Sequence, residues 1–77
     1  MLIGMMWKTN KVTVEAIQQG IAFYEKEYGI KPNLCFYCKE EKDFPQIPKP
    51  MAQEIEFVAS VQIPEGNIWF GVKNKQA

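Results

Sequence analysis

The sequence predicts a single small α+β domain spanning residues 1–77, with one helix packed on one face of a mixed four-stranded sheet and elements in the order β-α-β-β-β. Three observations carry this expectation. Val14, Ile17, Ile21, Tyr24 and Tyr28 recur at steps of three and four, which places them on one stripe of an amphipathic helix. Ile55, Phe57, Ala59, Val61 and Ile63 alternate with Glu56, Val58, Ser60 and Gln62, the period of a strand with one buried face. A chain of 77 residues with 47% hydrophobic content builds one core and lacks the apolar residues for a second.

The elements follow in order. Leu2 to Lys8 (LIGMMWK) is an apolar run too short for a helix and reads as a buried strand, with Leu2, Gly4 and Met6 on one face and Ile3, Met5 and Trp7 on the other. The helix begins at Thr13, whose hydroxyl is placed to cap it. Glu15 favours its positive end, and Val12 can pack on Ile17. Gly29 supplies the left-handed residue that stops the helix, and Pro32 prevents its resumption. Leu34 to Cys38 (LCFYC) is the next strand, expected to lie parallel and adjacent to the first through a βαβ crossover. Residues 39–53 hold Pro45, Pro48 and Pro50 without a stable period and read as a long Pro-rich loop, a candidate for partner contact. Pro64 to Asn67 forms a turn with Gly66 available for positive φ, so Asn67 to Val72 is expected to return as the second strand of a hairpin. The tail 73–77 is expected to fray.

Composition excludes more functions than any motif supports. The chain has no histidine and no arginine, one serine (Ser60) and one aspartate (Asp43). Ser-His and Cys-His nucleophile–base pairs, histidine metal ligands and bidentate guanidinium recognition of phosphate are therefore absent. Nine basic residues balance nine acidic ones, so no basic footprint for nucleic acid exists, although Tyr37 and Trp69 are rings of the kind that stack on bases. Glu40, Glu41 and Asp43 share their loop with Lys39 and Lys42 without EF-hand spacing, and the glycines are too scattered to cradle a phosphate. The apolar opening from Met1 to Trp7 lacks the basic leader of a signal peptide and the length of a membrane anchor. No cofactor, nucleic acid or membrane partner is expected.

Cys35-Phe36-Tyr37-Cys38 has the CxxC spacing of dithiol oxidoreductases, and over these four residues it resembles a glutaredoxin active site. The resemblance implies a motif opening a helix whose N-terminus lowers the first thiol's pKa, with a cis-proline approaching from a later strand. Pro45 limits any helix after Cys38 to about one turn. On a strand, positions i and i+3 face opposite ways, which separates the sulfurs and favours two small buried thiols. Two thiols supply half of a structural zinc set, completed only by pooling four thiolates across a dimer. Reduced cysteines point to a cytoplasmic setting.

If Leu34, Phe36, Ile55, Phe57, Val61, Ile68 and Phe70 lie beneath the helix, then Trp7, Tyr37, Val58 and Trp69 fall on the uncovered sheet face, where an apolar patch marks an interface. Phe23 lies off the main helical stripe beside the small residues Ala16 and Gly20, a notch for another chain. Small domains gain burial by associating. The sequence thus points to a non-enzymatic protein-interaction or accessory module, a homodimer or a binder of another protein, with Phe23, Tyr37 and Trp69 as contact residues. The alternative is a thiol redox or zinc-binding protein centred on Cys35 and Cys38.

Overall fold

The computed structural model describes residues 3–42 and 44–73. Leu2, Asp43 and the tail beyond Lys73 lie outside the described residues, as does the side chain of Ile3. The elements are β1 (Ile3–Lys8), α1 (Val14–Tyr28), β2 (Leu34–Cys38), α2 (Lys49–Glu54), β3 (Glu56–Ser60) and β4 (Asn67–Val72). The architecture is α+β, with a mixed sheet in the order β1-β4-β2-β3.

Strand order departs from the expectation in two places. β1 and β2 run in the same direction but are not neighbours, because β4 is inserted between them, antiparallel to both. β3 does not form a hairpin with β4. It pairs in parallel with β2. β4 carries Ile68 and Phe70 on one face and Trp69 on the other, β2 is apolar throughout, and both take central positions. β1, expected to be a buried strand, lies instead at an edge, with Met6 48% exposed. β3 carries Glu56 and Ser60, which an edge tolerates. The edge position also corrects the burial pattern. Ile55 and Ile63 are buried, but Ala59 is exposed and Val61 is 78% exposed, because the strand stops at Ser60, whose hydroxyl accepts the Gln62 N–H at 3.1 Å and starts a turn. In the next turn Gly66 has φ 79°, and its carbonyl accepts the Thr9 N–H at 2.8 Å.

α1 forms for the reasons its sequence gives. The Thr13 hydroxyl accepts the Ala16 N–H at 3.0 Å, and Gly29 ends the helix at φ 76° with its N–H on the Glu25 carbonyl at 2.8 Å. Thr13→Ala is expected to cost about 1 kcal/mol, a fall in Tm of roughly 4–8 °C for a domain of this size. An unchanged circular dichroism melt would remove the cap from the account.

The buried face of α1 is Ala16, Ile17, Gly20 and Tyr24, turned toward the small residues from the expected stripe. Tyr28 and Phe23 are both exposed at the helix surface. Gly20 explains the rotation. A Cβ there would fall inside the Phe70 ring and lie 3.1 Å from Trp7 Cδ1, so the helix approaches the sheet through its bare backbone. The notch expected beside Phe23 is therefore filled from within the chain. Phe70, Ile68, Ile17, Tyr24, Val12, Cys35 and Ile55 form the core.

The segment 39–53 is not a free loop. Lys49–Glu54 is helical, with Pro48 as N-cap and Pro50 in the first turn, where a missing N–H has no partner to lose. Phe44, Ile47 and Met51 pack against the core from this segment. Glu41 accepts the Gly66 N–H at 3.2 Å and fastens the loop to the turn before β4.

Candidate functional site

Register sorts the side chains into lateral rows on alternate faces. One row beneath α1 runs Met5, Phe70, Cys35 and Phe57; the next runs Trp7, Ile68, Tyr37 and Ala59. On the opposite face, which neither helix covers, Met6, Trp69, Phe36 and Val58 are direct neighbours across all four strands. Three strand spacings make this apolar row about 14 Å wide. Beside it lie Gly4 and Gly71, themselves opposite one another. A Cβ at either glycine would fall inside the Trp69 indole, which therefore lies flat over bare backbone on two strands. The Phe36 ring stands 5.3 Å from the indole at 38°, and Met6 is 48% exposed. A shallow depression of about 310 Å³ adjoins Phe36 and Trp69, closed by Ser60, Gln62 and Ile63.

This face agrees with the expectation for Trp69 and Val58 and corrects it for four other residues, among them Leu34, which shares the side of Phe36 and pairs with Gly71. Trp7 lies under α1 against Phe23, at a ring separation of 5.3 Å. Tyr37 shares its row and stacks on Phe44 at 3.9 Å and 16°. Phe36, expected beneath the helix, is on the open face, because Cys35 and Tyr37 are the inward positions of β2. Phe23, Tyr37 and Trp69 are consequently not brought together. Phe23 and Tyr37 belong to the helix side and Trp69 to the other. Met6 also lies on the open face, opposite Trp7 in the alternation of β1.

Cys35 and Cys38 are both buried and free, three positions apart on β2 and so on opposite faces. Burial pushes the Cys35 thiol up to about 12, far from the depressed value of a reactive thiolate. Among the described residues no three carboxylates or thiols converge on a point that could hold a metal ion, and no helix is long and apolar enough to cross a membrane.

A second concavity lies between α1 and α2. It is an open groove of about 470 Å³, lined by Ile21, Ala22 and Glu25 from α1, Met51 and Glu54 from α2, and Ile55. It was invisible in the sequence because its second wall, α2, reads there as loop. Compared with protein-family models, curated proteins and solved structures, the chain matches none of them.

Proposed function

We propose that this chain is a non-enzymatic interaction module of the cytoplasm that associates with a second copy through the open face of its sheet. The observation that carries the reading is the row Met6, Trp69, Phe36 and Val58, apolar across the full sheet and covered by neither helix. A domain of 77 residues has strong reason to cover such a face. A second copy is favoured over another partner by charge. The chain has zero net charge, and the charged groups bordering the row are Lys8 and the Glu56–Lys73 pair, whose atoms are 3.3 Å apart, so two copies meet with little repulsion. The missing histidine and arginine support a non-enzymatic role, and two free, buried thiols support a reducing compartment. The thiol-redox alternative draws no support from sulfurs on opposite faces of one strand.

Among its described residues the face offers one shallow depression and no deep pocket for an anchor, so association in the micromolar range is expected. Sedimentation equilibrium is expected to give a mass approaching twice the 8.9 kDa of the chain as concentration rises. Met6→Glu, at an exposed position that leaves the core untouched, is expected to hold the protein folded and monomeric, with a Tm that no longer rises with protein concentration. A wild-type protein that stays monomeric at ~200 μM, well above a micromolar dissociation constant, would end the self-association reading.

A further inference from the structure

We propose that the groove between α1 and α2 docks a cationic amphipathic segment of a partner protein, on the side of the sheet opposite the self-association face. The groove follows from how the sheet is covered. Gly20 draws α1 onto Phe70 of β4, while α2 is tied to β3, its C-terminal neighbour, and a helix about 10 Å across cannot fill the space left between them. Gln18, Ile21, Ala22 and Glu25 stand at the i, i+3, i+4, i+7 spacing, so one stripe of α1 is turned toward the opening rather than toward the sheet. Met51 and Glu54 present the same chemistry from α2, and buried Ile55 forms the floor.

Charge selects the occupant. Each helix contributes one carboxylate to a lining that also holds Ile21, Ala22, Met51 and Ile55, and among the described residues neither Glu25 nor Glu54 has an ion-pair partner. Lys31 is the one cation of the lining. A guest that places an apolar side chain between Ile21 and Met51 and a lysine or arginine toward each carboxylate matches both features. The groove is open to solvent along its side, which suits a chain segment laid between two helices better than a small molecule needing enclosure. Such a segment would complete the helical layer over the sheet.

The test uses a phage-displayed library of random twelve-residue peptides, selected on the wild-type protein, with Ala22→Trp as a plug and Ala22→Lys as an added positive charge. Ala22 is exposed on α1, so either variant reads the groove rather than the core. The expected result is enrichment of peptides with lysine or arginine beside apolar residues three or four apart. Their affinity is expected to fall at least about tenfold in both Ala22 variants and roughly two- to fivefold in each of Glu25→Gln and Glu54→Gln, with the glutamine effects shrinking in high salt. Met6→Glu is expected to bind the peptides as wild type does, which separates this claim from the dimer. The proposal is overturned if the library yields no binder, if the selected peptides lack cationic enrichment, or if they bind the Ala22 variants unchanged. It also falls if those variants alter the oligomeric mass, because the occupant would then be a second copy.

Discussion

Phe70→Ala is expected to leave the protein unfolded, or nearly so, at room temperature. Phe70 is fully buried on a central strand, with Met5 and Cys35 as its lateral neighbours and the bare backbone of Gly20 against its ring. Removing a buried phenylalanine costs ~3–5 kcal/mol, through lost transfer energy and the cavity that remains. A domain of this size has stability near the low end of the ~5–15 kcal/mol range, so the loss consumes most of it. The cavity cannot close easily, because Gly20 has no side chain to move into it. Phe57→Ala makes the comparison: although alternation marks Phe57 as core, it is half-buried on the edge strand and is expected to cost roughly half as much. Urea denaturation of both variants distinguishes them. Equal losses would contradict the placement of Phe70 at the helix–sheet contact.

The second large effect concerns Cys35. With its pKa pushed from 9.0 to about 12 by burial, the native protein holds about a thousandfold less thiolate at Cys35 than an unfolded chain does at neutral pH. Labelling by a thiol reagent is therefore expected to be slower in the native state by at least that factor and to accelerate in denaturant. The same shift links to stability. The folded state holds this proton more tightly, so its contribution is complete below pH 9, diminishes as pH rises from 9.0 toward 12, and is lost above that. Wild type is expected to lose on the order of 4 kcal/mol more than Cys35→Ala across this window. Rapid native labelling of Cys35, or parallel stability curves for the two proteins, would contradict its burial and reopen a thiol function.

Much of the local structure was legible because it is set by near neighbours. Thr13 and Gly29 bound the helix through contacts within four residues, and Gly66 takes the positive φ its turn needs. What could not be read depends on residues far apart in the chain. The insertion of β4 between β1 and β2 is a competition among strands for central positions, and no single strand's alternation reveals its outcome. The rotation of α1 depends on Phe70 meeting Gly20, fifty residues earlier in the chain. Prolines at 48 and 50 read as breakers, yet both sit at a helix start, where proline is tolerated. An open face is legible in the sequence but its residues are not, since the inward parity of β2 is fixed by pairing with β4 and not by its own five apolar residues.

The central claim is that the uncovered sheet face is where one copy meets another. Isotope-filtered NMR on an equimolar mixture of labelled and unlabelled chains, at a concentration where the dimer predominates, tests it most directly. Intermolecular contacts are expected from the Met6 methyl and the Trp69 indole, with none from Ile21 or Met51. Intermolecular contacts confined to the α1–α2 groove, or none at any concentration, would contradict it.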